Sequence, residues 1–300
     1  MDPFRIEGPA VINVSGGRTS ALMLRRVMDT HGGRLPPDVH VVFANTGDEH
    51  PRTLEFLGEL AATWGVNLRW IERDRGTPEG FVEVTFESAS RSCEPFAEML
   101  RGRGFLPNPT ARFCTQELKI EAMRAFMRSQ GYDHWTSVVG LRWDEASRVA
   151  QHRERQREEE DFTSVYPLHA ARVTKGDVEA FWRLQSFDLG LPPWASNCRG
   201  CFLKSRAILE RTERDAPGSL AWWAAQEERV GATFTKGRRY LDVIGRAQRP
   251  MLPGLDVEMV APIACNCTDR RAPRVCNCRK RRGEGHTLSC ARVLGERRAA

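Results

Sequence analysis

Ile12-Asn13-Val14-Ser15-Gly16-Gly17-Arg18-Thr19-Ser20-Ala21-Leu22 decides the reading of this chain. A β-branched apolar run ends in Ser-Gly-Gly. A Thr-Ser pair follows, then the helical run Ala21-Leu22-Met23-Leu24. The order is strand, tight loop, helix. Two glycines let the backbone turn sharply and approach a ligand closely. Backbone N–H groups and hydroxyls then gather at a helix start, where the dipole favours anions. The loop suits phosphate. Taken alone it is equally a glycine turn, with Thr19 or Ser20 as N-cap. It lacks the Gly-Lys-Ser/Thr ending of a Walker A loop and the Gly-x-Gly-x-x-Gly of a dinucleotide fold.

Outward from this loop, strand and helix signals alternate. Strand-like runs lie at 11–14, 40–44, 68–72, 135–139 and 163–166, and helical patterns near 19–31, 51–64, 116–130, 144–158 and 175–187. Alternation of this kind predicts an α/β fold, a doubly wound and mostly parallel sheet. Ligands of such sheets bind at the carboxyl ends of the strands. Residues 73–112 carry scattered Gly and Pro and read as a long excursion over the crevice. The period stops near 188. The expected division is an α/β nucleotide-binding domain at 1–187 and a cysteine-bearing, basic appendage at 188–300, with a helix at 203–214.

Ser15-Gly16-Gly17-Arg18-Thr19-Ser20 resembles the Ser-Gly-Gly-x-x-Ser PP-loop of ATP pyrophosphatases and sulfonucleotide reductases. Other blocks resemble the PAPS reductase-like branch of that family, in its order. They are Asn45-Thr46-Gly47-Asp48-Glu49-His50-Pro51 with Thr53, the Cys114 to Lys119 block, Gly140-Leu141-Arg142-Trp143-Asp144-Glu145-Ala146-Ser147-Arg148, and Tyr166-Pro167-Leu168 with Thr174-Lys175-Gly176-Asp177. The Asn45 block, Pro107-Asn108-Pro109 and Phe113-Cys114-Thr115 look closest to uncharacterised phage and bacterial members. The resemblance implies an adenine nucleotide, ATP or a relative, held by Ser15, Gly16, Gly17, Thr19 and Ser20. Asn45, Thr46, Gly47, Asp48 and Glu49 would line the same crevice, with Asp48 or Glu49 reaching Mg²⁺. Lys119 and Arg142 would act on the α-phosphate, and Asp144 would hold Arg142. Each of these charges, taken singly, is also what a surface ion pair provides.

Nine cysteines in a chain with no evident signal peptide point to metal or redox chemistry rather than a disulfide framework. Cys198-Arg199-Gly200-Cys201 has chelating spacing. In the APS reductase branch a tandem Cys pair and a distal Cys-x-x-Cys hold a [4Fe–4S] cluster. That resemblance maps Cys114, Cys198 and Cys201 residue by residue, while Phe113 replaces the fourth ligand. Cys93, Cys265, Cys267 or no protein group could complete the set, with Cys265 and Cys267 favoured. Zn²⁺ or a redox dithiol at Cys198 and Cys201 are the alternatives. Cys276, Cys278 and Cys290 either form a second zinc site with Cys265 and Cys267 or are free thiols.

The reductases' Glu-Cys-Gly-x-His tail is not seen: the cysteine at a comparable place, Cys290 in Leu288-Ser289-Cys290-Ala291-Arg292, lacks the Glu, Gly and His. True PAPS or APS reduction is therefore not expected. The expected chemistry is adenylation of a substrate followed by sulfur or amine transfer; the alternative is a non-catalytic adenylate binder with structural zinc. Net charge is +6 over 300 residues, and Arg270, Arg271, Arg274, Arg279, Lys280, Arg281, Arg282 and His286 crowd the end. That tail is either a solubilising end or a nucleic-acid contact. No run of about 18 apolar residues exists, so the expectation is a cytoplasmic protein without a membrane partner.

Overall fold

The computed structural model describes residues 2–156, 161–192, 194–195 and 198–249. In chain order the elements are β1 (Ala10–Asn13), α1 (Arg18–Thr30), β2 (Val39–Asn45), α2 (Pro51–Trp64), β3 (Leu68–Arg73), β4 (Phe81–Val84), α3 (Glu94–Arg101) and the short α4 (Phe113–Thr115). A π-helical turn, Gln116–Glu121, leads into α5 (Ala122–Ser129). Then come β5 (Trp135–Val139), a 3-10 turn at Trp143–Glu145, α6 (Ala146–Arg155), β6 (Phe162–Val165), α7 (Pro167–Ala170), α8 (Lys175–Trp182), α9 (Arg206–Asp215), α10 (Ala221–Val230) and α11 (Tyr240–Ala247).

The strands form one sheet in the order β4-β3-β2-β1-β5-β6. All neighbours are parallel except β4, which is antiparallel to β3. The fold is α/β and doubly wound. Alternation along each strand divides the core between the two faces. Ala10, Ile12, Val41 and Phe43 pack with Leu22, Phe56 and Trp182 of α1, α2 and α8. Val11, Val42 and Ala44 pack with Met123, Phe126 and Met127 of α5 on the other face. The five expected strands are present. β4 and α3 were not expected; both lie inside the 73–112 excursion, which is therefore structured. Among the described residues no helix is long and apolar enough to cross a membrane.

The expected boundary at 187/188 does not separate two cores. Phe96, Met99, Leu100, Leu106 and Leu118 share one buried cluster with Phe202, Leu209, Trp223, Phe234 and Tyr240. Leu189 and Leu191 pack into the core of the sheet. The physical reason is that α3 has an apolar face that the sheet does not cover. The residues after 198 cover it instead.

Candidate functional site

β1 lies between β2 and β5. Chain direction across the sheet reverses there, at the position where open α/β sheets bind ligands. Asn13 is in register with Val139, so the loops after β1 and β5 leave the sheet side by side. Gly16 stands at φ +75, a left-handed backbone. A Cβ on it would fall 2.3 Å from Cγ2 of Thr53. Ser20 ties the loop together: its Oγ accepts from the Ser15 N–H at 3.1 Å and donates to the Gly17 carbonyl at 3.0 Å. Gly17 is the N-cap of α1 and brings no side chain to cap it. At the end of β5, a Cβ on Gly140 would stand 3.1 Å from the Ser20 Cα, so the two backbones meet closely.

Arg142 joins these two loops. Its Nη1 donates to Thr19 Oγ1 at 3.2 Å. Its Nε and Nη2 donate to both carboxylate oxygens of Asp144, at 2.9 and 3.2 Å. Buried Glu145 accepts from the Arg142 N–H at 3.2 Å and fixes the backbone. A bidentate carboxylate leaves a planar guanidinium little freedom. The guanidinium is thus aimed at the Ser-Gly-Gly loop.

The loop after β2 is buried and braced. Asn45 donates to Glu72 at 2.6 Å and to the Ser90 carbonyl at 2.9 Å. The Thr46 N–H and hydroxyl both donate to Glu49, at 3.0 and 2.9 Å. Gly47 has φ +81, and Cys93 passes so close that a Cβ there would meet its Cα at 3.0 Å. Burial pushes the Glu49 carboxyl up; Lys119 opposes this. Lys119 Nζ stands 4.0 Å from Glu49, a loose pairing, and comes from the π-helical turn. Such turns re-aim side chains and are frequent at functional sites.

Asp48 departs from its expected role. It is wholly buried. Its carboxylate accepts from the Cys198 thiol and the Gly200 N–H, both at 2.9 Å, and from Trp223 Nε1 at 3.4 Å. The Cys93 thiol approaches at 3.6 Å. The carboxylates expected to reach Mg²⁺ are thus engaged by protein donors: Asp48 anchors the Cys-x-x-Cys turn, and Glu49 braces its own loop.

This anchor places the cysteines. The backbone of Cys198 bridges Glu49, and the Arg199 N–H donates to the Asp48 carbonyl at 2.9 Å. Gly200 has no room for a side chain, because a Cβ would lie 1.8 Å from Trp223 Nε1. Tyr240 holds the Gly200 carbonyl at 2.5 Å. Cys198 and Cys201 act on each other: Cys198, then the Leu203 N–H and Lys204, pull Cys201 down, while Cys201 and burial push Cys198 well up. Burial also raises Cys114, which feels the charge of Cys201. Burial and then the cations Arg199 and Lys204 push His50 down.

The three mapped thiols thus occupy one neighbourhood beside the loop after β2. Among the described residues no three His, Cys, Asp or Glu side chains are set to share a single metal ion. Cys265 and Cys267 lie outside the described residues, as do Cys276, Cys278, Cys290 and the basic tail. Sequence reasoning missed Trp223 and Tyr240, which hold the cysteine turn. It also missed Asp188, which accepts from Arg18 Nε at 2.6 Å and ties the start of α1 to the loop after α8. The Trp222-Trp223 pair was the one available signal.

The doubly wound sheet thus carries, after β1, a Ser-Gly-Gly helix start without a side-chain cap, with Arg142 beside it. The phosphoadenosine phosphosulfate reductase domain matches residues 9–189, more than half of the chain. The chain belongs to that family. It is 29% identical over 216 residues to the uncharacterized nin region protein ORF290 of Escherichia phage lambda, covering 69% of this chain and 70% of that one. It is 27% identical over 140 residues to an uncharacterized 37.8 kDa protein in the gpa 5' region of Escherichia phage 186, spanning 40% of that protein. Solved structures with a likeness include the PAPS reductase of Candida auris in a phosphate complex. That likeness has 14% identity and TM-score 0.38, and covers 61% of this chain and 79% of that one. Another is the U34-tRNA thiolase NcsA of Methanococcus maripaludis with its [4Fe-4S] cluster, at 14% identity and TM-score 0.40, covering 74% and 71%.

Proposed function

We propose that this protein binds ATP, or a related adenine nucleotide, at the β1–β5 crevice and adenylates a substrate. The observation that carries this reading is the Arg142–Thr19 contact, which aims a bidentately held guanidinium into the phosphate loop. An oxygen of the substrate attacks the α-phosphorus. The bond from that phosphorus to the β-phosphate bridging oxygen breaks, and pyrophosphate leaves with the electron pair. The Ser15–Ser20 loop and the helix start stabilise the leaving charge. Arg142 orients the α-phosphate, Asp144 fixes Arg142, and Lys119 supplies a mobile point charge. Mg²⁺, when bound with the nucleotide, would neutralise phosphate charge.

Pyrophosphate release from ATP and Mg²⁺ by the purified protein is the test. Bound ATP without release would support the non-catalytic adenylate binder instead. Arg142→Ala or Lys119→Ala should lower nucleotide affinity or turnover roughly tenfold or more, as for loss of a charged hydrogen bond of about 1.5–3 kcal/mol. Wild-type affinity and rate in both variants would return these side chains to the solvated surface.

Cys114, Cys198 and Cys201, brought into one neighbourhood, would hold a [4Fe–4S] cluster, with Zn²⁺ as the alternative. A cluster held there would supply an iron able to carry sulfur for transfer to the adenylated substrate. Protein made and purified without oxygen is expected to be brown and to carry about four irons and four sulfides per chain. Cys198→Ala should bleach it and Cys93→Ala should not. Colourless protein with one zinc per chain would remove the cluster and leave nucleotide binding intact.

A further inference from the structure

Directly after Arg142, the side chain of Trp143 is 45% exposed. It is held by His169, whose ring centroid lies 5.0 Å away, and by the Arg172 guanidinium at 5.4 Å. An indole braced in this way, and still nearly half open to solvent, is a ready stacking surface. On α6, which follows at once, Arg148, His152 and Arg155 fall within an arc of about 60°. All three are exposed, and so is Arg112, just before Cys114. Burial, and then the cations Arg148, Arg155 and Arg112, push His152 down. The exposed Glu154 points about 100° or more round the helix from this arc. Beyond Arg112, Phe113 packs edge-on against Phe105 at 5.2 Å, and Phe105 is 52% exposed. Among the described residues, a row of cationic side chains therefore runs from beside Asp144 and Glu145, at the phosphate crevice, toward the cysteine neighbourhood, with an exposed aromatic at each end.

We propose that this patch binds a single-stranded nucleic acid, with backbone phosphates on Arg112, Arg148 and Arg155 and an unstacked base on Trp143. Positive grooves interleaved with exposed aromatics bind single strands in this way. A solvated helix would instead pair its arginines with carboxylates on the same face. Arg148 does so with Glu145, but Arg155 and Arg112 face the His152 cluster. Trp143 is the residue after Arg142, so a strand stacked there would pass next to the residue assigned to the α-phosphate. This names the acceptor class of the proposed reaction and rests on that reading for the chemistry alone. Binding is a separate matter, measurable without ATP.

The test is fluorescence anisotropy of labelled single-stranded RNA and DNA of about 12 nucleotides, titrated with the full-length chain across a salt series without ATP. Binding should weaken steeply with salt. The double variant Arg112→Ala/Arg155→Ala should lose about tenfold or more in affinity, and its salt slope should fall by about 1.4, from 0.7 per phosphate contact. Trp143→Ala should lose about tenfold with the slope unchanged, and Trp143→Phe should recover most of it. ATP binding by the double variant should match wild type. No binding at about 50 mM salt would overturn the proposal. So would a double variant with wild-type affinity and slope, which would place the contact elsewhere in the chain. Failure of the wild type to bind ATP would instead sink the nucleotide reading and leave this one standing.

Discussion

Gly16→Val should abolish ATP binding measured by calorimetry, while far-UV circular dichroism stays near that of the wild type. Two independent costs meet at this position. At φ +75 a β-branched residue is forced into a left-handed backbone, at about 1–3 kcal/mol. Its Cβ would also fall 2.3 Å from Thr53 Cγ2, on a residue of α2 that is itself fully buried. The helix cannot retreat without disturbing Leu54 and Leu57, so the loop must move. Moving the loop breaks the Ser15–Ser20 and Ser20–Gly17 bonds that shape it. Gly17, at φ −103, carries no such backbone demand. Undiminished affinity in Gly16→Val would mean that the nucleotide is held elsewhere.

The contrast between the two glycines shows how far sequence carries. Ser-Gly-Gly between an apolar run and a helical run was legible because local chemistry makes the loop. Arg142 was legible for a similar reason: it follows Gly140 at a strand end. That β1, β2, β3, β5 and β6 run parallel followed from the βα alternation. β4 was hidden because Phe81–Val84 is short, sits among Gly and Pro, and pairs antiparallel at an edge. The second core was hidden for a different reason. Phe96, Trp223 and Tyr240 are far apart in sequence, and only tertiary packing makes them neighbours. Asp48 was assigned a role facing the crevice because it stands in an Asn-Thr-Gly-x-Glu block. Its direction depends on Cys198, Gly200 and Trp223, some 150 residues and more away.

Asp48→Asn distinguishes an anchor from a magnesium ligand. The native carboxylate meets donors: the Cys198 thiol, the Gly200 N–H and Trp223 Nε1, with the Cys93 thiol at 3.6 Å and Arg199 Nε at 3.8 Å. An amide of the same shape would turn an NH₂ group toward at least one of them. A buried donor left unpaired costs about 1–3 kcal/mol, and more where a charge was the partner. The turn has no simple way to relax. The Gly200 carbonyl is held by Tyr240, and the Trp223 ring fills the space where a side chain on Gly200 would go. The expected loss is on the order of 3 kcal/mol, read as a lower denaturant midpoint with an unchanged slope. Amide exchange should speed up first in 198–204 and in α10 and α11, the elements that this carboxylate ties to β2. ATP should still bind the Ser15–Ser20 loop, and its dependence on Mg²⁺ should match wild type. A magnesium ligand would behave the other way round: stability would hold, and the Mg²⁺ dependence of ATP binding would shift. That second pattern would return Asp48 to the crevice and leave the cysteine turn to its other holds, among them Tyr240, the β-bridge to Glu49 and the Arg199 contact with the Arg91 carbonyl.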